Sequence, residues 1–145
     1  MTLEELESEF LKDSKMDDTS LDIESLKIPQ LYGKYLTIHN RWNLLLKQSE
    51  SEHRKLLRSK WEYYTGKADA KVYQQKPFDL KVLKQDVDLY IQSDEEVIES
   101  NLKIEYRKTM VETAEKACKM INNRGFQIKN AVDWKRFMDG ALWDL

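Results

Sequence analysis

Apolar residues recur at three- and four-residue intervals through most of this chain, the spacing of one face of an α-helix. Leu3, Leu6 and Phe10 keep that spacing behind Thr2 and Glu5, which stand at capping-box separation. They predict a short amphipathic helix over residues 2–14 with a strongly acidic outer face. Asp17-Asp18-Thr19-Ser20 is a break, and Leu21, Ile23, Leu26 and Ile28 are too few to assign. Pro29 suits the first turn of a helix, where its missing N–H costs nothing. From there Leu31, Tyr35, Ile38, Trp42, Leu45, Leu46, Leu56, Leu57, Trp61 and Tyr64 hold a helical period over about 36 residues. A polar stretch from Gln48 to His53 interrupts this stripe and marks where such a helix would bend, break or become exposed. Gly66 suits the residue just past its end.

Lys67 to Pro77 reads as a loop. The next segment, 78–91, fits two periods: Leu80, Leu83, Val87 and Tyr90 suit a helix, while Val87, Leu89 and Ile91 alternate like a strand. A helix or an extended linker is the preferred reading. Ser93 and Glu96 form a second capping-box pair before a wide apolar stripe, predicting a helix from Asp94 to Asn122. Asn122-Asn123-Arg124-Gly125 reads as a stop, with a last helix over Lys129 to Asp139. Trp134 and Trp143 add large apolar area near the end, as core or as a subunit interface. The expected fold is mainly α: a single helical domain with a long central helix and a C-terminal helical region.

Composition agrees. In 145 residues there are four glycines and two prolines, too few for a many-turned β fold. A chain of this length can bury a core without metal or disulfide help. Its single cysteine, Cys118, excludes an internal disulfide and falls on the apolar stripe of a helix, which predicts a buried, inert thiol. No apolar run approaches the length of a membrane span, and the acidic N-terminal segment suits neither a secretory signal nor a transit peptide.

The net charge of −2 would discourage a polyanion as partner, but its distribution alters the picture. Residues 1–26 hold nine acids against two bases, residues 27–76 eleven bases against four acids, and residues 77–145 eleven bases against thirteen acids. A near-neutral total therefore conceals a basic middle. Within it, Arg54 to Gly66 mixes four cations and three aromatic rings with one acid, Glu62. Cations can meet phosphates and rings can stack on bases. Equally, Trp61 and Tyr64 can be core residues with the cations as the helix's wet face.

Catalytic signatures are absent. His39 and His53 share no cluster with metal-ligand spacing. Asp86 and Asp88 form a D-x-D that could hold magnesium in a nuclease, though two solvated acids explain it more simply. There is no phosphate-cradling glycine loop and no nucleophile elbow. No cofactor is expected, and a binding or assembly protein is favoured over an enzyme. The non-enzymatic alternative to nucleic-acid binding is an α-helical scaffold whose basic-aromatic stretch is a protein–protein interface.

Arg58-Ser59-Lys60-Trp61-Glu62-Tyr63-Tyr64-Thr65-Gly66-Lys67 resembles the signature segment of the UvsY-type recombination mediators of tailed bacteriophages. Asn123-Arg124-Gly125-Phe126-Gln127-Ile128-Lys129 is similar to a second family segment, as are Leu3-Glu4-Glu5-Leu6, Lys12-Asp13 and Leu31-Tyr32-x-Lys34. The resemblance implies a non-enzymatic, ring-like homo-oligomer, a hexamer or heptamer, that binds single-stranded DNA without sequence preference in the host cell cytoplasm. It implies contacts with the phage single-strand-binding protein, whose grip is weakened, and with the phage RecA-like recombinase, which is loaded for recombination, repair and replication. It assigns the DNA-binding cations to Arg58 and Lys60, and the neighbouring Arg54, Lys55 and Lys67 add flanking charge in the same stretch. It divides the chain into a DNA-binding part, 1–92, and an assembly part, 93–145.

Overall fold

The computed structural model describes residues 1–140; Trp143 lies outside them. Seven α-helices form: α1 Leu3–Asp13, α2 Leu21–Leu26, α3 Ile28–Tyr64, α4 Ala70–Gln75, α5 Val87–Gln92, α6 Glu95–Asn122 and α7 Arg124–Met138. There is no strand among the described residues, so the mainly α expectation holds. The chain gathers into two compact units. One contains residues 1–42 and the described residues from Thr109 on; the other contains residues 43–108. Both α3 and α6 contribute to each.

In the first unit, Thr2 caps α1 with the complete reciprocal box that the sequence predicts: Glu5 N–H donates to Thr2 Oγ1, and Thr2 N–H to Glu5 Oε2. Its inner face buries Leu6 against Tyr35, Met110, Ala117 and Ile121. The edge of the Phe10 ring meets Tyr35 at 5.7 Å between centroids. Asp13 closes this core at its rim. It accepts from Tyr35 Oη at 2.8 Å and from Lys34 Nζ at 2.6 Å. Cys118 lies in the same core, and burial pushes its thiol pKa up, as expected of an inert cysteine. The weak apolar pattern at 21–28 resolves into α2, which packs on α7.

One sequence expectation is corrected in this unit. The stop at 122–125 is a single residue, Asn123, after which α7 begins at Arg124 rather than at Lys129. Gly125 is carried in the first turn, and Arg124 is buried and donates to the Asp13 carbonyl, which fixes the new helix. Of the two readings left open for Trp134, its exposure excludes core within the chain: it stacks on Phe137 and faces outward.

In the second unit, the polar stretch Gln48–His53 does not break α3. Its polar groups meet α6 instead. Arg107 Nη1 donates to the Leu45 carbonyl and to Ser49 Oγ, both at 2.6 Å, and His53 Nδ1 lies 2.8 Å from Ser100 Oγ. The apolar core is Val87, Ile91 and Val97 with Leu56, Leu57 and Tyr64 around it. The Lys67–Pro77 loop contains α4, which short length hid from the periodicity. Residues 78–83 lack regular structure, and a 3-10 turn at Lys84–Asp86 and then α5 follow, so the helical reading holds for the second half of the segment. The expected Ser93 cap is corrected too: Ser93 closes α5 and its hydroxyl donates back to Leu89 O, leaving Asp94 to cap α6.

Helix α3 ends as Gly66 predicts. The residue has φ +76°, Lys67 N–H donates to Glu62 O at 2.8 Å, and Gly66 N–H to Tyr63 O at 3.3 Å, a Schellman closure. A Cβ at Gly66 would meet nothing within 4 Å, so only the left-handed backbone demands glycine here. Gly66→Ala is expected to cost about 1 kcal/mol in chemical denaturation; an unchanged midpoint would refute this account of the cap.

Candidate nucleic-acid interface

Residues two apart on an α-helix point about 200° away from each other, so they cannot share a face. Arg58 and Lys60 obey this. Arg58 is on the open side of α3, its side chain 83% exposed, with Nε 3.4 Å from Glu62 Oε1. Lys60 is on the opposite side and 8% exposed.

The open side is built from spacing. Arg54, Arg58 and Trp61 are separated by four and three residues and form one stripe, which Lys47 extends by two further turns. Lys55 borders it, and Lys67, just past the Schellman closure, returns to place its Nζ 4.5 Å from the Trp61 ring centroid. These five cations are exposed. Their acidic neighbours are few: Glu62 beside Arg58 and Glu50 at 3.7 Å from Lys47. Such solvated pairs hold their members weakly, leaving the cations available to phosphate. Lys71 and Lys76 on and after α4 carry the positive field onward.

The buried side is a lock. Lys60 Nζ lies 3.3 Å from both Asp94 Oδ2 and Glu96 Oε1. Tyr64 Oη donates to Asp94 Oδ2 at 2.6 Å. The other carboxylate oxygen, Oδ1, accepts the Glu96 and Val97 amides at 2.9 and 3.4 Å and so caps α6. Burial alone would raise the Asp94 pKa, but the bonds from Tyr64 and the charge of Lys60 outweigh it and hold the carboxyl below its usual value. Burial, then the Asp94 carboxylate, push the Tyr64 phenol up, keeping it a neutral donor. Tyr63 turns inward beside it. Tyr63 Oη donates to Lys76 O at 3.0 Å, its carbonyl accepts from Tyr73 Oη at 2.8 Å, and its ring stacks on Tyr73. Phe78 and Tyr90 complete the aromatic cluster.

Of the sequence-predicted cations, the structure thus brings Arg54, Lys55, Arg58 and Lys67 to one surface and sets Lys60 in the lock behind it. Of the rings, Tyr63 and Tyr64 face the core while Trp61 faces out, 44% exposed. Lys47 and Asp94 were not among the predicted site residues. The 47–54–58–61 spacing signals the first; no local pattern signals the second. Among the described residues no group of three or more His, Cys, Asp or Glu side chains that could hold an ion forms. Nor is any described helix long and apolar enough to cross a membrane.

Known proteins match this chain along almost its whole length. Recombination protein uvsY of Enterobacteria phage T4 is 26% identical over 140 residues, covering 97% of this chain and 99% of that protein. Crystal structures of the bacteriophage T4 recombination mediator protein UvsY superpose closely. The lattice type II form gives a TM-score of 0.85 at 26% identity, covering 97% of this chain and 99% of that one. The lattice type IV form gives 0.84 at 25% identity, covering 94% and 99%. The sequence pattern of the recombination, repair and single-stranded-DNA-binding protein UvsY matches residues 9–141, and the chain belongs to that family.

Proposed function

We propose that the protein is a non-catalytic recombination mediator that binds single-stranded DNA through the open face of α3, weakens the hold of a single-strand-binding protein and loads a RecA-like recombinase inside the host cell. The observation that carries this reading is the exposed cationic stripe on a helix of a UvsY-family fold. Arg54, Lys55, Arg58 and Lys67 are assigned to phosphates, and Lys60 is assigned to holding α3 on the start of α6. One such stripe binds weakly and in a salt-sensitive way. A ring of six or seven copies would repeat it, so that many weak contacts act at high effective concentration. Outward apolar side chains on α7, Trp134 and Met138 among them, support self-association.

The test is a titration of single-stranded oligonucleotide at several salt concentrations. Arg54→Ala with Arg58→Ala is expected to weaken binding to all sequences alike and to lower the slope of log affinity against log salt by about 1.4, about 0.7 per lost phosphate contact. Lys60→Met, which keeps the bulk of the buried stem, is expected to leave the slope unchanged. The opposite result, an intact slope in the double variant and a reduced one in Lys60→Met, would move the phosphate site to Lys60.

A further inference from the structure

We infer that Trp61 is a base-stacking platform, with Lys67 as the cation that occupies its face until a nucleobase arrives. The inference deepens the single-strand reading of α3 and rests on it. Trp61 is the one ring of its stretch turned to solvent, while its neighbours Tyr63 and Tyr64 are turned into the aromatic cluster. An exposed indole loses the burial that usually retains tryptophan. Here it sits among cations instead: Arg58 one turn before it, Arg54 two turns before, and Lys67 over its ring. That setting complements a polyanion that also carries flat apolar rings, and single-stranded nucleic acid is such a polymer.

The position is also stiff. Trp61 lies in the last full turn of α3, its carbonyl accepting from Thr65 N–H at 3.0 Å and Thr65 Oγ1 at 2.7 Å, just before the Schellman closure. A platform held this way loses little entropy on binding. Lys67 by contrast is an exposed side chain on the residue after Gly66, with a flexible stem. When a base takes the ring, the ammonium moves to the adjoining phosphate. Arg58, on the same stripe, takes the phosphate on the other side. Phosphate and base contacts therefore alternate along one face, a sequence-tolerant arrangement because every base has a π-face.

The experiment compares the full-length protein binding two probes of equal phosphate number, an oligothymidylate of about 16 nucleotides and an abasic chain of the same length. Wild type should bind the thymidylate between about fivefold and a hundredfold more tightly, the range of one stacked base. Trp61→Leu should bring thymidylate affinity down towards the abasic value, leave abasic affinity unchanged, and keep the assembly state seen by sedimentation. Trp61→Tyr should restore much of the preference. If wild type binds both probes equally, or Trp61→Leu keeps the preference, stacking on Trp61 is refuted while the strand reading stands. If Trp61→Leu breaks the assembly, the indole is a subunit contact and the proposal falls. If wild type binds neither probe, the strand reading itself fails.

Discussion

Asp94→Ala is expected to destabilise the protein by about 3–5 kcal/mol, the usual cost of removing one partner from a buried ion pair. One carboxylate here serves three groups, and all three lose it. The α6 amides of Glu96 and Val97 lose their cap, Tyr64 Oη loses its acceptor, and Lys60 keeps only Glu96, whose side chain is solvent-facing. The weakened pairing of the Lys60 ammonium is the largest of these losses, because its remaining partner is a solvated carboxylate. Lys60→Met in the same background is therefore expected to recover part of the loss, and urea denaturation of the single and double variants measures the coupling. A loss under about 1 kcal/mol for Asp94→Ala would show that the lock carries no net charge interaction. The pH dependence has a defined sign. The Asp94 pKa is depressed in the fold, so its contribution is present above the unfolded carboxylate value and lost as pH falls through the lower folded one, below about pH 4. Asp94→Ala should flatten that acid limb.

Leu6→Ala is expected to cost about 2–5 kcal/mol, the range for truncating a fully buried leucine. The residue decides how the acidic N-terminus is understood. Its charges invite the idea of a tail that competes with DNA or grips a basic partner. In the structure α1 is a core element: Leu6 has no exposure, Phe10 meets Tyr35, and Asp13 receives both Lys34 and Tyr35. Removing residues 1–14 would therefore strip the first unit of its cover as well as of its charge, and a lost interaction in such a deletion would not identify a partner contact. Leu6→Ala separates the two, since it changes no charge. A large fall in denaturation midpoint identifies α1 as core; a midpoint within experimental scatter of wild type would mean the helix is dispensable to the fold.

Much of this architecture was legible because it is written in local spacing. The Thr2–Glu5 box, the long period of α3 and the left-handed glycine at its end each need only a few consecutive residues. Local spacing misled where two candidates stood side by side. Ser93 and Asp94 could each cap α6; the tertiary partners Tyr64 and Lys60 favour Asp94, and both lie about thirty residues away in sequence. The cations show the same division. That Arg58 and Lys60 face opposite ways follows from helix geometry alone. That Lys60 is the one facing inward follows from Leu56, Leu57 and Tyr64, which share its face at three- and four-residue spacing; the acids Asp94 and Glu96 that meet it there are not revealed by any pattern around residue 60. Trp61 could be read as core or as a ring for bases, because it falls in the apolar period of α3; its angular position beside Arg54 and Arg58 is what turns it to solvent.

The unbroken course of α3 through its polar middle has a metric consequence. Because nothing interrupts the helix between Lys47 and Trp61, the cations Lys47, Arg54 and Arg58 of that face stand at fixed backbone intervals over a span of about 16 Å. At about 3.4 Å per nucleotide, that length corresponds to at most about five phosphates, and to fewer when the strand is stretched. Under the single-strand reading proposed above, the helix would act as a ruler: each copy of the chain would measure out a set length of DNA, and the footprint of an assembly would grow in whole increments of that length.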